Sequence, residues 1–341
     1  MTATRPDCSA STDDPSTDDP SAGRAERTAA SGDTFAAFQG AQRQVLERYG
    51  VDARSQMIRV PRLDLDVHVL VAGDGPPVLM AIGGGMVAAL WAPLMAELGG
   101  YTAIAFDPPG HGLSEPVRYS TQTMRTTAVE LIDGVRHALG IERAPIVAQS
   151  MGGLWSTWFA LDRPRHVSAI SYVGCPALML GTSAPLPLRL GTIRPLHSVI
   201  EHLQPPSTRQ VERIGRMAGE PLDELPELRD LFLAYERLPA TSAVLLDLHR
   251  ALVRVRGARP EVALTADQLR AVTQPVQFVW GERDPFGSPD VGRRAAALMT
   301  DAELRTVDTG HGPWFTRPAE VGGHVTTFLA RHSSSIREES T

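Results

Sequence analysis

The sequence has 341 residues, of which 43% are hydrophobic and 21% charged, a composition typical of a globular protein of one large domain with an insertion, or of two smaller domains. Its net charge of -6 gives no reason to expect a nucleic acid or an anionic membrane surface as a partner. The chain contains no lysine, which excludes a lysine Schiff base, pyridoxal phosphate anchoring and a P-loop. It has neither an apolar run of membrane-spanning length nor an apolar signal core, so we expect a cytoplasmic protein.

Two cysteines are present, Cys8 and Cys175, and Cys8 lies in a polar segment, so we predict no structural disulfide. Cys175 follows an apolar run and is predicted to be a small buried residue rather than a nucleophile. The chain has no C-x-x-C and no H-E-x-x-H pattern. We therefore predict neither a metal site nor a cofactor.

Residues 1–34 are rich in Ser, Thr, Asp, Pro and Ala and hold almost no large apolar side chain. Such a segment cannot bury enough apolar surface to offset the entropy that folding costs, so we predict that it is disordered. The next residues, 35–48, have apolar side chains at helical spacing and predict a helix.

From residue 58 onward, short apolar runs alternate with helical patterns. The predicted strands are 58–65, 67–72, 78–82, 102–106, 144–148 and 167–173, and the predicted helices are 88–98, 121–139 and 154–161. Strands that alternate with helices are typical of an α/β protein with a doubly wound, mostly parallel sheet.

The alternation stops between residues 176 and 267, a segment with many prolines and several amphipathic pieces, of which 227–237 and 241–255 are the best predicted helices. We predict that this segment is an inserted helical cap. Strands at 276–280 and 303–307 and helices at 289–299 and 318–331 then resume the alternation. The predicted core therefore consists of 35–175 and 268–335, followed by a flexible C-terminus at 336–341.

Ser150 stands at the end of the apolar run 144–148, in the sequence Ala-Gln-Ser-Met-Gly-Gly, directly before a helical segment. This pattern nearly matches the G-x-S-x-G elbow, which exposes a nucleophilic serine above a parallel sheet, with Ala148 in place of the first glycine. We expect Gly152 and Gly153 to supply backbone freedom on the helix side. An ordinary strand-to-helix turn would show the same pattern, so the rest of the chain must decide.

An acid and a histidine follow later strands, where a parallel sheet collects its reactive groups. Asp284 follows the strand 276–280 and His311 follows 303–307, so the chain order is Ser, acid, His. His111 is a weaker candidate for the base, because it precedes Ser150 and lies in a turn-forming stretch. Asp107, in the same stretch, is better explained as a hydrogen-bond acceptor that organises the loop.

Five stretches in this order resemble the α/β-hydrolase family. They are Ile-Gly-Gly-Gly (82–85), Asp-Pro-Pro-Gly-His-Gly-Leu-Ser (107–114), Ala-Gln-Ser-Met-Gly-Gly (148–153), Gly-Glu-Arg-Asp (281–284) and Gly-His (310–311). The resemblance covers roughly residues 63–331 and implies Ser150 as nucleophile, Asp284 as acid and His311 as base. Glu282, two residues nearer the strand, is a weaker alternative to Asp284.

The resemblance also implies an oxyanion hole made of two backbone N–H groups. One belongs to Met151, the residue after the nucleophile, and the other to Gly84, with Gly85 as the next candidate. The family usually has a histidine before that glycine, where this chain has Ile82. The backbone donor survives the replacement, whereas a side-chain hydrogen bond that shapes the loop does not.

These features predict a serine hydrolase that acts on an ester, thioester or related carbonyl compound. The predicted partner is a small-molecule substrate, and the sequence indicates no particular oligomeric state. An acyltransferase, a C–C bond hydrolase, a non-hydrolytic lyase or cyclase, and a ligand-binding protein remain alternatives on the same fold. The candidate pocket residues are Trp314, Leu178 and Leu180. Trp155 and Trp158 are predicted to pack in the core.

Overall fold

The computed structural model describes residues 20–196 and 205–333, with side chains for 32–196 and 205–332. Residues 1–19 of the predicted tail and the predicted C-terminus 336–341 lie outside the described residues, as do His197 and His202 of the insertion. None of the helices in the described ranges is long and apolar enough to cross a membrane.

Eight strands form the main sheet, in the order β1-β2-β4-β3-β5-β6-β9-β10, and β7 and β8 form a separate hairpin. The strands are β1 (Ala53–Val60), β2 (Leu65–Ala72), β3 (Pro77–Ala81), β4 (Thr102–Phe106), β5 (Ala144–Ala148), β6 (Val167–Val173), β7 (Val253–Arg254), β8 (Gly257–Ala258), β9 (Val276–Gly281) and β10 (Ala302–Val307). In the main sheet only β2 runs antiparallel to its neighbours, β1 and β4. The predicted mostly parallel, doubly wound sheet of eight strands is confirmed.

Helices cover both faces of the sheet and fill the insertion. They are α1 (Pro20–Arg48), α2 (Ala92–Met95), α3 (Met124–Ala138), α4 (Met151–Asp162), α5 (Leu186–Leu190), α6 (Thr208–Ala218), α7 (Pro226–Glu236), α8 (Thr241–Leu252), α9 (Ala266–Arg270), α10 (Pro289–Ala296), α11 (Pro313–Thr316) and α12 (Pro318–Ser333). Short 3-10 turns occur at Ala88–Trp91, Pro164–His166 and Leu222–Glu224.

Two hydrophobic clusters lie on opposite faces of the sheet. Along β3, Leu79 and Ala81 join the cluster that contains α3, α4 and α10, whereas Val78 and Met80 join the cluster that contains α1, α2 and α12. Successive strand residues point to opposite faces, so a strand with helices on both sides is apolar throughout. All residues of β5 and β6 are buried for this reason.

Helix α1 begins at Pro20, so it extends into residues 20–34 of the segment for which the sequence predicts disorder. The helix includes the stretch Gly23 to Ala30, which is rich in Ala, Glu and Arg. Such residues favour a helix through backbone propensity without any large apolar side chain, and the prediction counted only burial. Further along α1, Phe38 and Val45 are fully buried, and the helix packs against α7 and the 3-10 turn Ala88–Trp91.

Between β6 and β9 the chain leaves the sheet, and α5 to α8 lie within the predicted cap, 176–267. A cavity of about 830 Å³ separates these helices from the sheet. Its walls include residues that directly follow β3, β5 and β6, together with side chains of α6, α7 and α8. The cavity therefore lies at the carboxyl ends of the parallel strands, where open α/β sheets bind their ligands.

Candidate active site

Ser150 occupies a sharp turn between β5 and α4. Its backbone angles, φ 49° and ψ -116°, are rare for a residue that is not glycine. A Cβ on Gly152 would lie 2.0 Å from the Ala81 carbonyl oxygen, and one on Gly153 would lie 2.9 Å from Cβ of Pro176. These glycines are required by the close approach of neighbouring chain segments rather than by backbone freedom, which was the predicted reason. The tight packing holds Ser150 in its strained conformation.

Asp284 and His311 form a buried pair. The Nδ1 atom of His311 lies 2.8 Å from Oδ2 of Asp284, which also accepts a hydrogen bond from the Cys175 N–H at 2.9 Å. The other carboxylate oxygen accepts from the Phe286 N–H at 2.9 Å. Because an ionised carboxylate only accepts hydrogen bonds, the proton of His311 is placed on Nδ1, which leaves Nε2 as the basic nitrogen.

The loop that carries His311 is fastened on several sides. The backbone N–H of His311 donates to the Ala218 carbonyl at the end of α6 (2.9 Å), and the backbone carbonyl of His311 accepts from the Gln149 side chain (3.2 Å). The ring of Phe286 stacks on the imidazole with a centroid separation of 4.0 Å. The position of His311 therefore depends on the sheet, on the elbow and on the cap.

Glu220, in the cap, contacts the same loop and was missed in the sequence. Its side chain is buried, and Oε1 accepts a hydrogen bond from the Gly312 N–H at 2.7 Å. Burial raises the pKa of this carboxyl to about 8, with a further increase from Asp284, opposed by the Gly312 N–H and by Arg283. Glu220 is therefore largely protonated at neutral pH, beside the His311 loop.

Ser150 and His311 both line the cavity between sheet and cap. Within the described residues, no hydrogen bond joins the Ser150 hydroxyl to the imidazole. Catalytic hydrogen bonds of this kind are often long without substrate and tighten in the complex. The arrangement places a hydroxyl and an imidazole at one cavity, and the buried Asp284 carboxylate orients the imidazole from behind.

We use the term oxyanion turn for residues Gly83, Gly84 and Gly85, which follow β3. A Cβ on Gly84 would lie 3.3 Å from Sδ of Met151 and 2.9 Å from Leu248 of the cap, so this glycine is next to the residue after Ser150. The Gly85 N–H donates to Nε2 of His111 at 3.1 Å. That N–H is therefore engaged, which leaves Gly84 as the stronger of the two predicted donors.

Residues 76–318 match the family model of the alpha/beta hydrolase fold. The chain belongs to the α/β-hydrolase family.

Relatives within this α/β-hydrolase family include esterases and C–C bond hydrolases. The chain is 27% identical over 271 residues to a pimeloyl-[acyl-carrier protein] methyl ester esterase of Shewanella sp. (strain MR-7), covering 78% of this chain and 95% of the relative. It is 27% identical over 273 residues to a 2-hydroxy-6-oxononadienedioate/2-hydroxy-6-oxononatrienedioate hydrolase of Pseudomonas sp., covering 78% and 92%. With these named hydrolases as relatives, the α/β-hydrolase described here is a hydrolytic enzyme.

Solved structures agree in fold. Carboxylesterase CesB from Bacillus subtilis superposes with a TM-score of 0.69 at 22% identity, covering 87% of this chain and 98% of that one. A 2-hydroxy-6-oxo-6-phenylhexa-2,4-dienoate hydrolase from Rhodococcus sp. strain RHA1 gives a TM-score of 0.67 at 20% identity, covering 82% and 99%.

The predicted pocket residues of this hydrolase are only partly found at the cavity. Leu178 lines it, but Trp314 and Leu180 do not. Trp314 is fully buried, donates from Nε1 to the Leu90 carbonyl at 2.7 Å and packs on Trp91. Helix α11 thus directs Trp314 towards the 3-10 turn Ala88–Trp91, and the next residue, Phe315, lines the cavity instead.

The competing candidates have structural roles. Asp107 is buried and accepts hydrogen bonds from the backbone of Ala88 (2.6 Å) and Leu113 (3.1 Å), as predicted for an organiser of its loop. His111 is buried beneath the cavity, and burial lowers its pKa to about 4. Glu282 is exposed and accepts from the Thr306 hydroxyl, so it does not replace Asp284.

Several buried residues also follow the sequence predictions. Trp155 and Trp158 pack in the core, and Cys175 is buried, where desolvation raises the pKa of its thiol.

Within residues 20–196 and 205–333, no three His, Cys, Asp or Glu side chains are grouped as metal ligands would be.

Proposed function

We propose that this protein is a serine hydrolase that cleaves an ester or thioester of a small, mostly apolar molecule. Ser150 is the nucleophile, His311 the general base and Asp284 the acid that orients it. The observation that carries the proposal is the His311–Asp284 hydrogen bond of 2.8 Å beside a strained elbow serine that lines the same cavity. Strain of this kind concentrates at functional sites.

The catalytic cycle follows from this arrangement. Nε2 of His311 takes the Ser150 proton as Oγ attacks the carbonyl carbon, and Asp284 stabilises the imidazolium through Nδ1–H. The N–H groups of Met151 and Gly84 stabilise the oxyanion. The tetrahedral intermediate collapses, and His311 gives its proton to the departing alcohol or thiol. Water, deprotonated by His311, then attacks the acyl group, and the second collapse returns the proton to Ser150.

The lining of the cavity favours a substrate with a neutral acyl group. Its cap side is formed largely by apolar side chains, which include Ile214, Met217, Phe232, Leu245 and Leu248. Among the described residues that line it, Arg237 is the one arginine, and it lies at an exposed position, whereas two carboxyl groups, Glu220 and Glu236, also line it. Because burial raises the pKa of both carboxyls, they supply little negative charge, but no arginine among these described lining residues lies at a buried position where it could pair with a substrate carboxylate. We therefore favour a neutral ester over the dioate and dienoate compounds named for some relatives.

Hydrolysis of a C–C bond beside a carbonyl is the second candidate. The relative from Pseudomonas sp. is named for a compound of that type, and the same triad is compatible with such a reaction. A panel of p-nitrophenyl esters from acetate to decanoate, assayed beside a 2-hydroxy-6-oxo-dienoate, separates the two candidates.

The deciding experiment is fluorophosphonate labelling with intact mass and peptide mapping. The wild type should carry one adduct on Ser150, which Ser150→Ala abolishes and His311→Ala slows by about 10³-fold or more. Ser183→Ala is the matched control, because Ser183 also lines the cavity but lies outside the elbow. An adduct on another serine, or labelling of the wild type no faster than of His311→Ala, would contradict the proposal.

A further inference from the structure

The oxyanion turn consists of three glycines, so its own side chains cannot fix its shape. Gly85 has a left-handed φ of 78°, and the residue before the turn is Ile82, whose side chain can make no hydrogen bond to it. Another group must therefore hold the turn in the conformation that stabilises an oxyanion. The structure provides one from a different loop, in the stretch Asp107 to Ser114.

His111 contacts the turn through a hydrogen bond whose direction can be assigned. Its Nδ1 lies 3.2 Å from the Pro109 carbonyl, which can only accept, so Nδ1 carries the proton. Nε2 of the neutral ring is then an acceptor, and it receives the Gly85 N–H at 3.1 Å. An imidazolium could not accept this bond. Burial lowers the pKa of His111 to about 4, which keeps the ring neutral at the pH values at which an esterase would be assayed.

The cap and the core hold the His111 ring in place. Tyr235 of α7 stacks over it with a centroid separation of 5.8 Å and an interplanar angle of 15°. On the core side, the Tyr119 hydroxyl donates to the same Pro109 carbonyl at 2.8 Å. A Cβ on Gly110 would lie 2.8 Å from Val244 of α8, so the loop is pressed against the cap. The imidazole therefore connects the cap to the oxyanion turn.

We propose that His111 is the positioning residue of the oxyanion turn, where its Nε2 holds the Gly85 N–H and so directs the neighbouring Gly84 N–H at the oxyanion. His111 does not touch the substrate and acts through the backbone of the turn. This inference rests on the proposed serine hydrolase function. His111 belongs to a separate loop and gives the turn the side-chain hydrogen bond that Ile82 cannot give.

The test compares His111→Phe, which keeps a flat ring for Tyr235 and removes the acceptor, with His111→Gln, whose amide oxygen can accept. Ile132→Val, at a buried position of α3, is the control for a small loss of stability. The readouts are kcat and KM for p-nitrophenyl butyrate and the Ki of a trifluoromethyl ketone with the same acyl chain. Two further measurements are made on each variant. The hydrogen-exchange rate of the Gly85 amide is followed by NMR with ¹⁵N-glycine labelling, and the melting temperature is taken from thermal unfolding.

We expect His111→Phe to lower kcat by about 10–100-fold, because the donor is displaced rather than removed. KM should stay within about twofold of wild type, ketone affinity should fall in parallel with kcat, and His111→Gln should recover part of the loss. The Gly85 amide should exchange faster in His111→Phe while the protein stays folded.

Two kinetic results would overturn the inference: a kcat for His111→Phe close to that of Ile132→Val, or a loss confined to KM. Unchanged Gly85 exchange in His111→Phe would do so independently of any activity. The Ser150→Ala variant, assayed alongside, distinguishes failure of the proposed function. If it retains wild-type turnover, the serine hydrolase proposal fails, and the positioning role of His111 fails with it.

Discussion

The sheet and the cap use their side chains differently. In β5 and β6 every residue is buried, and the clusters on the two faces absorb the apolar side chains. In the cap helix α6 only Val211 and Gly215 are buried, and several of the other residues line the cavity or face solvent. The side chains of central strands such as β5 and β6 therefore serve packing, whereas a cap helix divides its residues between docking, the cavity wall and solvent.

The sheet and the cap also contribute differently to the proposed reaction: the sheet places the reacting groups, and the cap forms most of the wall that would select the substrate. This division is incomplete. Ser150 and Asp284 are positioned by the ends of strands, while the wall that faces an acyl group comes mainly from the cap. The two regions meet at the His311 loop, where the Ala218 carbonyl and the Glu220 carboxyl of the cap bind the backbone of His311 and Gly312. The cap thus contributes to the placement of His311, the proposed base.

The largest expected effect tests the sheet side. Asp284→Asn should lower kcat by about 10³–10⁴-fold, because an amide at this position favours the wrong imidazole tautomer and no longer stabilises the imidazolium. Asp308→Asn is the control, since Asp308 pairs with Arg283 at an exposed position. The measurements are kcat and KM for a p-nitrophenyl ester, with a thermal melt to show that each variant is folded. If both variants kept wild-type kcat, Asp284 would not be the catalytic acid.

The next effect tests the junction between cap and sheet. Glu220→Ala removes the acceptor of the Gly312 N–H and should lower kcat by about 10-fold through a looser His311, whereas Glu220→Gln keeps an acceptor and should lose less. Glu224→Ala, an exposed carboxyl in the same segment, is the control. Equal kcat for Glu220→Ala and Glu224→Ala would show that the cap does not help to place the base.

The same residue predicts a pH dependence of stability. The pKa of Glu220 is raised in the folded protein from an ordinary 4.5 to about 8, chiefly by burial. Folding therefore takes up a proton between these values, so the contribution of Glu220 is fully present below pH 4.5 and declines as pH rises to about 8. Relative to Glu220→Gln, the wild type should lose about 1.4 kcal/mol of unfolding free energy per pH unit in that window. Urea unfolding of both proteins at pH 5, 6, 7 and 8 measures this difference, and a pH-independent difference would contradict it.

Much of the sheet was predictable, because burial on both faces makes a strand a continuous apolar run. The predicted strands 102–106, 144–148 and 167–173 have the same bounds as β4, β5 and β6. Strand β1 begins at Ala53 rather than at residue 58, since Arg54 and Ser55 of this edge strand are not buried and hide the pattern. The Ser, Asp and His candidates followed from their positions at strand ends, where topology brings distant residues together.

The cap was less predictable, because its side chains are not selected for packing alone. Helix α6 was missed, although Ser207 caps its first turn by accepting from the Gln210 N–H and Gly219 ends it in a left-handed conformation. Those two residues are the signal that could have identified it. Glu220 and Phe315 had no comparable signal, since their roles depend on how the cap and the His311 loop meet in space.

The smallest expected effect tests the cap as the source of selectivity. Leu245 of α8 lines the cavity, and its Cδ2 would lie 3.6 Å from a Cβ on Gly85, so it borders the site where an acyl group would bind. Leu245→Ala should raise kcat/KM for a branched p-nitrophenyl ester relative to its linear isomer by about 3–10-fold, near the lower end of the roughly 1–3 kcal/mol by which a hydrophobic pocket discriminates one methylene. Val255→Ala, at an exposed cap residue outside the cavity, should leave the ratio unchanged. An unchanged ratio in Leu245→Ala, beside an inactive Asp284→Asn, would mean that α8 docks on the sheet without selecting the acyl group, and selectivity would then have to come from the strand ends themselves.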